Sequence, residues 1–195
     1  MIFNEKIDKT IEDNCDLYLS DRSSDVILVM GRDALPAHKS VLRKQSEYFN
    51  AMFSIEMIEH SLREVSLEEV LTKQFVFVLR LAYGYRPSDR ELRIMSFNDI
   101  FDAIIIANKY QFRSVEELLS VQFFDKLNNN FSSDYLCVNE KKPIGQLDRL
   151  FTLSEVQEIS KSYNLDYFSD LCKSYIESKS HRGVDAYKYC YNLWC

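Results

Sequence analysis

Asp25-Val26-Ile27-Leu28-Val29-Met30-Gly31, followed by Pro36-Ala37-His38-Lys39-Ser40-Val41-Leu42 and then Ser46-Glu47-Tyr48-Phe49-Asn50-Ala51-Met52-Phe53, is the stretch that decides the fold. Its first part is β-branched and closes on a glycine, which predicts a strand over 25–30. A turn at Gly31–Asp33 leads to a second short strand over 34–38, and the two form a hairpin. Over 41–53 the apolar pairs Val41/Leu42, Tyr48/Phe49 and Met52/Phe53 recur at helical spacing, with Ser46 as an internal cap.

Downstream, residues 64–67 alternate enough for one more strand. Residues 74–83, QFVFVLRLAY, fit a buried helix or a buried strand by periodicity, and their length favours helix. From about residue 96 the signals are helical. Ser96-x-x-Asp99, Ser114-x-x-Glu117 and Ser154-x-x-Gln157 read as capping boxes, where a hydroxyl and an acid or amide satisfy the free N–H groups of a first turn. Residues 128–145, with three asparagines, Ser132-Ser133, Pro143 and Gly145, read as a linker. At the other end, Phe3, Ile7 and Ile11 fit one face of a short helix.

An echo at an offset of 53 residues joins two parts of the chain: Ile100, Ala103, Ile106, Tyr110, Phe112 and Val115 align with Leu153, Val156, Ile159, Tyr163, Leu165 and Phe168. Both stretches read as a helical hairpin joined at Tyr-Gln-Phe or Tyr-Asn-Leu, although any two amphipathic hairpins share such spacing.

Composition narrows the class. Gly 4 and Pro 3 in 195 residues fall far below usual usage of about 12% for the two together, which argues for long helices and against a β-sandwich. With hydrophobic residues at 46% the chain can bury a core. A net charge of −6 with no basic run argues against nucleic acid or an anionic membrane as the main partner. The apolar runs, such as Val26–Met30 and Ala103–Ala107, fall well short of the roughly 18 residues of a membrane span. Glu5 and Asp8 interrupt the opening residues, which argues against a secretory signal. Five cysteines at 15, 137, 172, 190 and 195 show no C-x-x-C, and His38, His60 and His181 are not at zinc spacings. Reduced thiols in a cytoplasmic or nuclear protein, with no metal and no cofactor, are the expectation. No phosphate loop or nucleophile arrangement suggests an enzyme, so no catalytic residue is assigned.

Ser24-Asp25-Val26, the Ala37-His38-Lys39-x-x-Leu42 turn into a helix, and Ser46-x-x-Phe49-x-x-Met52-Phe53 together resemble a BTB (POZ) domain. Glu64-Val65-Ser66-Leu67 resembles its third strand, Phe75–Tyr83 a helix ending in an aromatic, and Ala107-Asn108-Lys109-Tyr110 the end of the next helix. Tyr83-Gly84-Tyr85 departs from the frequent Tyr-Thr-Gly. The resemblance implies an α+β fold, a small three-stranded sheet packed with helical hairpins, with an extra helical pair after it. The expected layout is an N-terminal dimerisation segment over 1–20, the BTB domain over 21–128, a linker over 129–146 and helices resembling a 3-box or truncated BACK segment over 147–195.

The same resemblance implies roles. His38 is a buried structural histidine. Asp25 and Lys39 meet in a charged pocket at a dimer interface. Ile7, Ile11, Leu17, Val41, Leu42, Phe49 and Met52 line that interface, although core packing alone accounts for several of them. Met57-Ile58-Glu59 matches the hydrophobic-x-Glu of BTB domains that dock on cullin-3, with Lys109 and Tyr110 as further contacts; a charged loop gives the same triplet by chance. The expected function is a homodimeric substrate adaptor of a cullin-3 ubiquitin ligase, recruiting a substrate protein of unknown identity. The alternative is a BTB assembly module that pairs with itself or another BTB protein and does not bind cullin. Adaptors of this kind usually carry a separate substrate-binding domain such as MATH or Kelch. No propeller repeat occurs here, which leaves a fragment, recruitment through the chain's own surface, or pairing with a longer BTB protein.

Overall fold

A computed structural model of the chain describes residues 14–20, 23–54, 62–67, 72–131 and 153–180. The residues divide into two compact units, 1–121 and 122–195.

The first unit is built on a three-stranded sheet in the order β2-β1-β3. Strand β1 spans Val26–Met30, β2 spans Asp33–Ala37 and β3 spans Glu64–Ser66. The β1–β2 hairpin is antiparallel, with Val26 opposite Ala37 and Met30 opposite Asp33. Gly31, in the turn, takes a φ of +60°, which glycine adopts without steric cost. β3 lies on the other side of β1 and runs parallel to it, Leu28 opposite Val65. Val26, Leu28 and Met30 alternate into the core, as one face of a half-buried strand requires. The second strand therefore sits one residue earlier than 34–38, and His38 instead precedes the first helix.

The helical stretch over 41–53 is two helices, broken at Ser46, the expected internal cap. Helix α1 spans Lys39–Gln45 and α2 spans Glu47–Met52. Ser46 between them is extended (φ −140°, ψ 122°); its hydroxyl accepts from the Phe49 N–H and caps α2. Residues 74–83 are helical, within α3 over Thr72–Ala82. Helix α4, Asp89–Ile94, carries a full capping box between Ser88 and Glu91 that the sequence reading passed over.

Helices α5 (Phe97–Lys109) and α6 (Arg113–Phe131) form the next hairpin. Ser96 caps α5 through the Asp99 N–H as expected. Ser114 does not cap α6, which begins one residue before it, and α7 (Leu153–Ser162) likewise begins ahead of Ser154. Residues 129–131, assigned to the linker, are the last turn of α6. In the second unit α8 spans Asp166–Ser180. Phe123, Phe124 and Phe168 pack there with ring centroids 5.2–5.4 Å apart, and Tyr175 lies 5.5 Å from Phe124.

The echo holds at the level of individual hydrogen bonds. At the end of α5, Gln111 N–H donates to Asn108 C=O and Phe112 N–H to Ala107 C=O; at the end of α7, Asn164 N–H donates to Lys161 C=O and Leu165 N–H to Ser160 C=O. Gln111 and Asn164 both take left-handed φ values, 52° and 55°. Each pair of bonds is the Schellman closure of a helix C-terminus, repeated at the 53-residue offset.

Candidate protein-interaction site

Three clusters in the first unit set what its surface can offer. The first centres on Tyr110, at the end of α5 and 2% exposed. Its ring lies 6.0 Å from Phe49, 5.2 Å from Phe75 and 5.2 Å from Tyr48. The Ser46 hydroxyl donates to the Tyr110 carbonyl at 2.6 Å, and the Glu47 N–H donates to the Gln111 carbonyl. One serine thus caps α2 and ties it to the α5–α6 turn. Burial, with Tyr48 adding to it, pushes the Tyr110 hydroxyl up to about 12. Lys109 is exposed, its ammonium 5.6 Å from the Tyr110 ring.

The second cluster centres on Tyr83, which is 1% exposed. Its hydroxyl accepts from the His38 N–H at 2.9 Å, and His38 Nδ1 lies 3.1 Å from the same oxygen. His38 is itself 4% exposed and sits in the structural role the resemblance implies. Burial raises the Tyr83 hydroxyl to about 12, against the pull of the His38 N–H. A strap over 14–20 with a 3-10 turn at Cys15–Leu17 crosses this cluster. Asn14 N–H donates to the Tyr83 carbonyl at 2.7 Å, Tyr18 Oη donates to the Val76 carbonyl at 3.1 Å, and the Tyr18 ring meets Tyr83 edge-on.

The third cluster holds Asp25 and Lys39. They meet through the backbone: the Lys39 N–H donates to Asp25 Oδ1 at 2.7 Å, so Asp25 caps α1. The Lys39 ammonium instead donates to the Leu62 carbonyl at 2.9 Å and stands 5.2 Å from the Phe53 ring. Nothing local in the sequence signals this cap, because the carboxylate comes from fourteen residues upstream.

The expected interface residues separate on this geometry. Leu42 and Phe49 are 0% exposed and Val41 is 6%, so these three fill the core of their own chain. Their faces of α1 and α2 turn inward and leave little side-chain surface for a second copy. Tyr110 likewise has no surface for a partner. Asp25 and Lys109 are exposed, and Leu17, Lys39 and Met52 are half-buried. Ile7, Ile11, Met57, Ile58 and Glu59 lie outside the described residues, as do Cys137, Cys190 and Cys195. Among the described residues no cluster of His, Cys, Asp or Glu could hold a metal, and no helix is long and apolar enough to cross a membrane.

Comparison with known proteins gives this arrangement its place. The BTB/POZ domain family matches residues 16–127, more than half of the chain. The chain belongs to the BTB/POZ domain family. BTB/POZ domain-containing protein 9 of Drosophila melanogaster is 27% identical over 152 residues, 78% of this chain and 19% of that protein. Human Kelch-like protein 26 is 26% identical over 149 residues, 76% of this chain and 22% of its own length. Kelch-like protein 40a of Danio rerio is 35% identical over 101 residues, 52% of this chain and 16% of its own. The match therefore spans about a fifth of these relatives' length. The solved BTB domain of zebrafish PATZ1 aligns with a TM-score of 0.44 at 25% identity, covering 62% of this chain and 90% of that one. The BTB domain here is a protein-interaction module carrying an extra helical hairpin, α7–α8, after it.

Proposed function

We propose that this BTB protein pairs with a second BTB chain and serves as a substrate adaptor for a cullin-3 ubiquitin ligase. One observation carries the reading: alignments of 152 and 149 residues are longer than the 16–127 family match, so the likeness to these larger BTB proteins reaches past the BTB domain. Kelch, the substrate-binding domain that such adaptors usually carry, stands in the name of one of them and in that of Kelch-like protein 40a. Docking would use Met57, Ile58 and Glu59, an apolar anchor with an acid beside it, together with the exposed Lys109. Pairing would use the segment with Ile7, Ile11 and Leu17, the Asp25–Lys39 cluster and Met52. Such an adaptor performs no chemistry of its own. It raises the local concentration of a bound substrate beside a ubiquitin-charged enzyme, and pairing makes it bivalent.

Light scattering behind size-exclusion chromatography tests this. A particle of twice the 23.0 kDa chain mass that gains mass with the cullin-3 N-terminal domain supports the adaptor reading. Loss of that gain in Met57→Ala and Glu59→Ala would assign the docking triplet. A dimer that ignores cullin leaves the assembly module, and a monomer refutes the pairing.

A further inference from the structure

We infer that Lys39 is a positioning residue for cullin docking, because its ammonium ties together Phe53 and Leu62, the two ends of the stretch that carries Met57, Ile58 and Glu59. This role rests on the adaptor reading above and adds a residue that lies outside the docking triplet in sequence. Phe53, at the end of α2, is fixed by the core: it is 0% exposed and its ring stacks on Phe49 at 5.8 Å. Leu62, just before β3, is 43% exposed. The hydrogen bond it makes among the described residues is the one its carbonyl accepts from the Lys39 ammonium at 2.9 Å. The same nitrogen stands 5.2 Å from the centre of the Phe53 ring, within the range of a cation–π contact. One side chain thus touches the last buried residue described before the docking stretch and the first residue described after it.

Both sides of this tie are themselves anchored. Lys39 is the first residue of α1, and its N–H donates to Asp25 Oδ1 at 2.7 Å, so the side chain leaves a held point of the backbone. Beyond Leu62 the next carbonyl, that of Arg63, accepts from the Ile27 N–H at 2.7 Å, where β1 and β3 begin to pair. The tie therefore runs from the start of α1 to the start of the β1–β3 ladder. A lysine suits the duty: its ammonium brings three donors for a carbonyl and a charge for the face of a ring. Fixing the ends of a stretch removes conformations that it would otherwise lose on binding, so the same contacts to a partner yield a higher affinity.

The test compares the full chain with Lys39→Met, which keeps an unbranched apolar stem and the N–H to Asp25 but removes the donor and the charge, and with Lys39→Arg, which restores both. Amide hydrogen exchange is followed on each chain alone, and each is titrated calorimetrically with the cullin-3 N-terminal domain. In Lys39→Met, exchange at the Ile27 amide should rise about threefold to tenfold, as expected for loss of one hydrogen bond beside its acceptor, with α5 unchanged. The dissociation constant for cullin should rise about tenfold. The urea midpoint and the dimer mass should stay at the parent values, and Lys39→Arg should return exchange and affinity toward them. Parent exchange and parent affinity in Lys39→Met overturn the role. A lost dimer with unchanged exchange assigns the ammonium to pairing and overturns it too, as does a fallen urea midpoint that arginine does not rescue. A parent chain that ignores cullin refutes the adaptor reading and the docking role with it, and that failure is distinct because exchange at Ile27 reads the tie without cullin present.

Discussion

Ser46→Ala should destabilise the first unit by about 2–3 kcal/mol, although it deletes a single oxygen. Ser46 is 2% exposed and its hydroxyl has two duties. It accepts from the Phe49 N–H at 3.1 Å, and loss of such an N-cap costs about 1 kcal/mol. It donates to the Tyr110 carbonyl at 2.6 Å, and leaving a buried acceptor without its donor costs about 1–3 kcal/mol. The terms share one atom and do not add in full. Alanine tolerates the extended backbone at this position, so the loss isolates the two bonds from backbone strain. Urea unfolding followed by far-ultraviolet circular dichroism reads the effect as a lower midpoint at unchanged slope. Ser40→Ala, at an exposed position of α1, is the control and should stay within about 0.5 kcal/mol of the parent. Ser46→Thr keeps the hydroxyl and should recover most of the loss. A loss below about 1 kcal/mol in Ser46→Ala would refute the claim that one hydroxyl both caps α2 and ties it to the α5–α6 turn.

Three further outcomes follow from the same geometry. Gln111→Gly should stabilise the chain by about 0.5–1 kcal/mol in the same urea assay, because Gln111 is exposed and pays for a left-handed φ of 52° that glycine adopts freely; Asn164→Gly should gain less, since asparagine tolerates that region better. Alkali should unfold the first unit between pH 10 and 12, with tyrosinate absorbance rising in step: Tyr83 and Tyr110 hold their protons to about 12 when folded and to 10.0 when unfolded, so their contribution is complete below 10 and lost as pH climbs through 12. A chain still folded at pH 12 with both tyrosines ionised would contradict the burial argument. Asp25→Asn keeps an oxygen for the Lys39 N–H and should leave stability within about 0.5 kcal/mol, whereas Asp25→Ala should lose about 1 kcal/mol; if the carboxylate's charge serves pairing, Asn alone should weaken the dimer in light scattering.

Glu91 and Asp99 show how far local sequence carries. The Tyr85 hydroxyl first, then the Ser88 N–H and hydroxyl, hold the Glu91 carboxyl at about 2. Burial works to raise Asp99, but Lys73 and Ser96 outweigh it and keep the carboxyl below its ordinary value. The serine partners sit three residues away and are legible as capping boxes: Ser96-x-x-Asp99 is read directly, and Pro87-Ser88-x-x-Glu91 carries the same signal. Lys73 comes from another helix and is not.

That division runs through the whole chain. β-branched residues before Gly31, the apolar pairs of 41–53 and the 53-residue echo are short-range patterns, and periods of 2 and 3.6 residues read them without a fold. Hence the hairpin, the helical identity of most of the chain and the family likeness were all available from the sequence by itself. So was Ser46 as an internal cap, but not its second bond, to the Tyr110 carbonyl sixty-four residues on. Nor was the parallel placement of β3 beside β1, which depends on a crossover rather than a local turn. The separation of core from surface went the same way. Val41, Leu42, Phe49 and Tyr110 look the same in sequence whether they fill a core or face a partner, since apolar spacing records which residues avoid water and not what covers them. Only the tertiary structure, by closing Val41 and Tyr110 to 6% and 2% of exposure and Phe49 and Leu42 to zero, decided that their own chain covers them.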